Sequence, residues 1–278
     1  MELSREIRYR AYSEWSKDEI TKIKENIKQS PWHASYHIEP KTGLLNDPNG
    51  FSFFNGKFTL FYQNWPFGAA HGLKKWVHAE SDDLVHFNIT GTELLPDTKY
   101  DSHGAYSGSA YEVDGKLLLL YTGNVRDKNW RRDSFQLGAW MDRSYSITKC
   151  ENVFINKPED VTDHFRDPQI FDYKGQFYAI VGGQSLEKRG VIKLYKAVGN
   201  SVEKWSEVGN LDFCSSGSEY MIECPNLLFV NDTPILIYCP QGLDKSELSY
   251  DNIYPNTYKI CQSFDERTAK LVGSSKIK

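Results

Sequence analysis

Four two-residue turns punctuate the chain at near-equal intervals: Asn55-Gly56, Asp114-Gly115, Lys174-Gly175 and Asn231-Asp232. Their second residues, 56, 115, 175 and 232, are separated by 59, 60 and 57 positions. Each turn lies between two apolar runs, as in FSFF-NG-KFTLFYQ and SAYEV-DG-KLLLLYTG. Asn-Gly and Asp-Gly in that setting signal tight β-hairpins, because both central residues must take positive φ. One hairpin does not fill an interval, and each interval continues with further strand-like segments, such as KWVHAESDD and HFNITG in the first. A repeating unit of several antiparallel strands predicts an all-β chain built from β-propeller blades. A β-sandwich with coincidental turn spacing is the alternative, and three matching intervals disfavour it.

One helix is expected ahead of the strands. In SKDEITKIKENIKQ (16–29), Ser16 and Glu19 form a capping-box pattern, and Ile20, Ile23 and Ile27 recur on one face before Pro31 stops the run. This divides the chain into an N-terminal helical segment, 1–32, and a propeller region, 33–278.

Acids stand in phase with the turns. Asp47, Asp167 and Glu223 precede residues 56, 175 and 232 by 9, 8 and 9 positions, and Ser107 precedes Gly115 by 8. If each lies on the innermost strand of its blade, all four side chains converge on the central channel. Carboxylates are depleted in strands and repel one another when they share a cavity. Three unrelated turn acids would not share this phase. Two carboxyl groups flanking a bond, one a general acid with a raised pKa and one an ionised nucleophile, fit glycoside hydrolysis. A calcium site is the competing use of three acids, but no histidine shares these positions and no metal or other cofactor is expected. His33 and His37 are four apart in a segment that does not read as helical, which gives a metal role there little support.

Charge and composition narrow the partners. A net charge of −4 and a pI near 6.0 argue against nucleic-acid binding and against an anionic membrane surface. Aromatic residues reach 14%, which suits β-sheets first and sugar-binding clefts second. The first residues, MELSREIRYRAYSEW, contain no apolar signal core, and the longest apolar run, around Leu117 to Tyr121, is too short to span a bilayer. Five cysteines without CxxC spacing read as free thiols of a reducing compartment, so a cytoplasmic location is expected. The glycosylation sequons at Asn88 and Asn231 then read as chance matches. Oligomeric state is left open.

Five motifs in order, LNDPNG, LFYQNWPFG, AYSGSA, FRDP and IECP, resemble glycoside hydrolase family 32, the invertase and fructan hydrolase family. The segments PFGAAHGLKKWVH and PQGLDKSELSYDNIYPNTYKI are similar, more narrowly, to the members that cleave phosphorylated sucrose inside bacterial cells. The resemblance implies a five-bladed β-propeller followed by a β-sandwich, and retaining cleavage of a small β-fructofuranoside, sucrose 6-phosphate or sucrose, through a fructosyl-enzyme. Asp47 would be the nucleophile and Glu223 the acid and then base. Asp167 would hold fructose hydroxyls and stabilise the transition state. Asn46, Gln63, Tyr106 and Ser107 match positions that contact fructose, Arg166 would position Glu223, and Trp76 would supply an aromatic wall. His71-Gly72 stands where many relatives have Trp-Gly, and YSGSA stands for the usual FSGSA. About four repeats fit between Leu45 and Lys278, so the expectation is a truncated chain with about four blades and without the sandwich. A fructan exo-hydrolase and a non-catalytic fructoside-binding fragment are the alternatives. Lys74, Lys75, Arg126, Arg131 and Arg132 are all candidates for a phosphate site, with none singled out.

Overall fold

The computed structural model describes residues 3–273 and confirms the all-β blade arrangement. Blade 1 contains β1 (Leu44–Phe54), β2 (Lys57–Trp65), β3 (Lys75–Ser81) and β4 (Phe87–Leu94). Blade 2 contains β5 (Ala105–Val113), β6 (Lys116–Arg126), β7 (Arg132–Met141) and β8 (Ile147–Asn156). Blade 3 contains β9 (Val161–Tyr173), β10 (Gln176–Ser185), β11 (Gly190–Val198) and β12 (Ser201–Asn210). Blade 4 contains β13 (Met221–Val230), β14 (Thr233–Gln241) and β15 (Thr257–Ile260), and a short ribbon, β16 (Ser263–Asp265) with β17 (Lys270–Val272), follows it. Within each blade the strands pair antiparallel in chain order.

All four turns adopt the conformation their sequences require. Both central residues have positive φ: 54° and 78° at Asn55-Gly56, 50° and 76° at Asp114-Gly115, 56° and 77° at Lys174-Gly175, and 48° and 63° at Asn231-Asp232. That geometry matches the right-handed twist of the flanking strands, so each turn joins the first and second strands of a blade directly.

Leu117, Leu118, Leu119 and Leu120 explain how blades stack. All four are fully buried, yet successive side chains on a strand point to opposite faces. Leu117 and Leu119 join Phe61, Trp76 and Leu94 of blade 1, whereas Leu118 and Leu120 join Ile170, Ala179 and Val181 of blade 3. A third core, including Ile180, Leu194, Leu227 and Leu236, joins blades 3 and 4. Side-chain amides and hydroxyls add bonds between the innermost strands. Asn49 Oδ1 accepts from Gly108 N at 3.0 Å, Ser109 Oγ from Ile170 N at 3.0 Å, and Gln169 Oε1 from Leu227 N at 3.0 Å. Gln169 Nε2 also donates to Leu227 O at 3.3 Å. No two blades share paired strands among the described residues, and Phe51 and Phe53 stay more than half exposed along the innermost strands.

The N-terminal segment packs on blade 1. Helix α1 (Arg5–Arg8) is followed by α2 (Lys17–Lys28), whose capping box matches expectation: Ser16 Oγ accepts from Glu19 N while Glu19 accepts from Ser16 N. Trp15 stacks on Phe67 with ring centroids 3.9 Å apart, and Leu73 N donates to Arg8 O at 2.8 Å. These contacts fix Tyr9 beside the channel mouth.

The Gln169 bridge can be tested for its part in holding blades 3 and 4 together. Gln169→Leu leaves a buried N–H and C=O of Leu227 without partners, which should cost about 2 kcal/mol. A thermal scan should show a fall of roughly 4–8 °C in Tm, and an unchanged Tm would mean that apolar packing alone joins these blades.

Candidate active site

Each innermost strand breaks its ladder at the same point. In β1 the pairing steps from Asn46↔Gln63 to Pro48↔Tyr62, leaving Asp47 as the bulged residue. In β9 it steps from Arg166↔Gly182 to Gln169↔Ile180, and in β13 from Glu223↔Cys239 to Asn226↔Ile237. A bulge re-aims side chains at the rim of a sheet. Asp47, Asp167 and Cys224 take positive φ of 35°, 66° and 46°, each just before a proline. Left-handed backbone at non-glycine residues is strained, of order 1 kcal/mol each, and persists where the surroundings enforce it.

This register corrects the expectation that the three acids are strict equivalents. Residues 63, 182 and 239 each follow their second turn residue, 56, 175 and 232, by seven, so Asn46, Arg166 and Glu223 occupy one layer. Asp47, Asp167 and Cys224 form the next. Glu223 thus lies one residue ahead of the Asp47 position. Spacing alone missed this because bulges and X-Pro steps absorb residues without changing the turn interval.

All three acids nevertheless line one cavity of about 580 Å³, together with Asn46, Ser107, Tyr106 and Arg166. A larger cavity, about 770 Å³, follows the innermost strands past Phe51, Phe53 and Phe229. The smaller one is the candidate site, since Asp47, Glu223 and the basic side chains line it. The acids differ in access: Asp47 is exposed to the mouth, the Glu223 side chain is 33% exposed, and Asp167 is only 5% exposed.

Gln63 ties the Asp47 end together. Its Nε2 donates to Ser107 Oγ at 2.6 Å and to Asp47 Oδ2 at 3.3 Å, and Ser107 Oγ donates to Asp47 Oδ2 at 2.7 Å. Its Oε1 accepts from Asn46 Nδ2 and Lys74 Nζ, both at 2.9 Å. Asn46 Oδ1 is buried without a partner, an acceptor suited to a ligand hydroxyl. At the other end Arg166 binds Glu223 Oε1 through Nη2 and through Nε at 3.2 Å, and its Nε lies 3.9 Å from Asp167 Oδ2. Asp167 Oδ2 accepts from Cys224 N at 3.0 Å, and Asp167 N donates to Thr122 Oγ1 at 2.9 Å.

Electrostatics follow from this burial. Burial pushes Asp167 up to about 6, with Arg166 pulling down and Glu223 and Asp47 pushing up. For Arg166 burial pulls down, but Asp167 and Glu223 outweigh it and the net shift is upward. Burial lowers Lys74, partly offset by Asp47 and Asp167. Burial also raises the Cys224 thiol well above its ordinary value, so it stays protonated beside Asp167.

Trp76 does not form the expected wall. It is fully buried in the core joining blades 1 and 2, and its Nε1 donates to Tyr106 O at 3.0 Å, so it holds the Tyr106 backbone from behind. Trp76 follows the lining residue Lys74 by two positions, yet its ring is taken up by the core between blades 1 and 2, against Phe61 and Tyr121. Residues that motif reading did not assign also line the cavity: Tyr9, Cys239, Gln241 and Tyr254. Cys239 stands seven residues after its turn, as Gln63 does in blade 1, whereas Tyr9 and Tyr254 come from distant parts of the chain and carry no spacing signal. Among the five basic candidates, Lys74, Arg126 and Arg132 reach the cavity, whereas Lys75 pairs with Glu93 at 2.5 Å and Arg131 is exposed elsewhere. Among the described residues there is no cluster of metal-ligating side chains, and no helix is long and apolar enough to cross a membrane.

Comparison with known proteins places these features in a family. The chain is 68% identical over 277 residues to a sucrose-6-phosphate hydrolase of Streptococcus mutans, covering all of this chain and 58% of that one. A sucrose-6-phosphate hydrolase of Lactococcus lactis is 53% identical, with 95% and 56% covered. The structure of a sucrose-6-phosphate hydrolase from Lactobacillus gasseri superposes with a TM-score of 0.92 at 48% identity, over 97% of this chain and 55% of that one. The chain therefore spans a little over half the length of the relatives it matches. Residues 37–278 match the N-terminal domain of glycosyl hydrolases family 32, and the chain belongs to that family.

Proposed function

We propose that this chain is the catalytic propeller of a cytoplasmic, retaining β-fructofuranosidase that hydrolyses sucrose 6-phosphate or sucrose. In this reading the propeller region is 33–278, of which 274–278 lie outside the described residues, and the N-terminal segment 1–32, described from residue 3, supplies Tyr9 to the mouth. One observation carries this reading: Asp47, Glu223 and Asp167 share one cavity with Arg166 between two of them and a hydroxyl-binding array beside the third. The names of its relatives supply the substrate class. Five free cysteines are consistent with a reducing compartment.

Each residue then has a task. Asp47, exposed to the mouth and fixed by Gln63 and Ser107, attacks the fructosyl C2 and forms the covalent intermediate. Glu223, aimed by Arg166, protonates the departing glucosyl oxygen and then deprotonates the water that releases fructose. Asp167 accepts fructose hydroxyls and offsets the positive charge of the oxocarbenium-like transition state. Asn46 offers its unpaired Oδ1 to the sugar, and Tyr106 packs at the mouth under Lys74 Nζ, 4.9 Å from the ring centroid. No metal or cofactor takes part in these steps.

A reducing-sugar assay with sucrose 6-phosphate, sucrose and inulin in parallel tests the reading; inulin turnover rivalling sucrose would favour a fructan exo-hydrolase instead. Asp47→Asn should lower turnover by at least roughly 10⁴-fold with an unchanged circular-dichroism spectrum, and retained activity would remove Asp47 from the nucleophile's role.

Asp167 gives a pH signature. Its folded pKa of about 6 lies above the ordinary aspartate value of 3.8, so the charged form is the disfavoured one. The stability penalty is therefore full above pH about 6, fades between there and about 4, and is absent below. Asp167→Asn should raise Tm at pH 8 but not at pH 4, while lowering kcat by roughly 10²-fold or more. The wild type should lose kcat/KM as pH falls through about 6, when Asp167 becomes protonated. An equal Tm change at both pH values would show that the buried charge is not what the substitution relieves.

A further inference from the structure

The cations of the cavity fall into two sets. Lys74 and Arg166 serve the acid floor: Lys74 Nζ donates to Gln63 Oε1 at 2.9 Å, and Arg166 bridges Glu223 and Asp167. Arg126 and Arg132 do not. They face each other as the last register pair of β6 and β7, at the end of that hairpin nearest the mouth, and both line the cavity.

Neither guanidinium has an anion. Among the described residues no carboxylate lies within ion-pair distance of either one, and the Nε of both is buried without a partner. Arg126 makes one bond outward, from Nη1 to Trp130 O at 3.2 Å, and lies 5.6 Å from the Trp130 ring centroid. The Arg132 side chain has no hydrogen-bond partner among the described residues and lies 5.9 Å from the Tyr106 ring. Burial and the nearby charges of Arg166 and Arg126 hold Arg132 below the ordinary arginine range. Two adjacent, partly desolvated arginines repel each other and carry unmet donors, an arrangement an incoming anion relieves. Asp163 acts on Arg132 from beyond ion-pair distance, and the cavity's own acids are taken up by Arg166, Gln63 and Ser107.

Position identifies the end of the ligand. Arg126 and Arg132 come from the second and third strands of blade 2, not from the innermost strands that carry the acids. The amide and hydroxyl array of Asn46, Gln63 and Ser107 gathers instead around Asp47. The unpaired arginines thus stand apart from the array that would hold fructose, in the part of the cavity left to the departing group if the β-fructofuranosidase reading holds, and the inference rests on that reading. Two guanidinium forks match the oxygens of a phosphomonoester, which carries close to two negative charges near neutrality.

We propose that Arg126 and Arg132 form a phosphate clamp for the leaving group, so that the site selects a β-fructofuranoside whose glucosyl moiety carries a phosphate. Tyr9 adds a neutral phenol: burial and Tyr106 push its pKa up to about 12 despite the pull of Arg126. Lys75 and Arg131 take no part.

The test compares kcat/KM for sucrose 6-phosphate and for sucrose in the wild type, Arg132→Ala, Arg126→Ala and Arg132→Lys. Each alanine variant should lower the ratio of the two values by about 10–100-fold, chiefly through KM for the phosphorylated sugar. Arg132→Lys should recover part of the ratio, since it keeps the charge but loses the fork. Inhibition by glucose 6-phosphate should weaken in step, and inhibition by fructose 6-phosphate should not. A merely structural role would lower both substrates together and leave the ratio unchanged, which would overturn the clamp. So would a wild type that does not distinguish the two sugars, or a loss that follows fructose 6-phosphate. If the wild type cleaves neither sugar, the β-fructofuranosidase reading fails, and calorimetry decides the clamp separately. Glucose 6-phosphate binding lost in Arg132→Ala supports it, and binding equal in both proteins overturns it.

Discussion

Three carboxylates facing one cavity repel one another, and much of the surrounding structure answers that repulsion. Arg166 bridges Glu223 and Asp167, Lys74 reaches Gln63 close to Asp47, and Cys224 offers a backbone N–H to Asp167. The three acids are also graded by access, from exposed Asp47 to nearly sealed Asp167. Burial separates their behaviour, because desolvation raises the carboxyl that water cannot reach. An array of identical acids would lack this division of labour.

Holding that array requires a stiff frame. The strained residues Asp47, Asp167 and Cys224 sit on bulges whose flanks are locked by paired strands. Behind them, Leu117 to Leu120 bury both faces of β6, and Trp76 fills the space beneath Tyr106. Inner-strand side chains reach across to the next blade at Asn49, Ser109 and Gln169, so blades are joined by directed bonds as well as by apolar contact. The same cores that stack the blades thus fix the angles at which the carboxylates meet.

In the proposed reading, chemistry and selectivity occupy different elements. The acids come from the innermost strands of three blades, whereas Arg126 and Arg132 come from the far end of the β6–β7 hairpin and Tyr9 from the N-terminal segment. Such a split lets hairpin ends and terminal segments change without disturbing the bulges.

Much of this was legible in the sequence. The turn dipeptides need left-handed backbone that Asn, Asp and Gly accept most readily, so the blades could be counted from four pairs of residues. The phase of the acids against those turns placed Asp47, Asp167, Glu223 and Ser107 at one channel, and the capping box placed α2. Local chemistry governs all of these features, and local chemistry is written along the chain. The layer that each acid occupies was decided by bulges, which depend on strand pairing across the sheet. Whether Trp76 was wall or core depended on the packing of blade 2 against blade 1. Five basic residues looked alike in the sequence, and only the tertiary structure separated Lys74, Arg126 and Arg132 from Lys75 and Arg131. A side chain's charge is a property of its residue, but its partners and its access to water belong to the folded molecule.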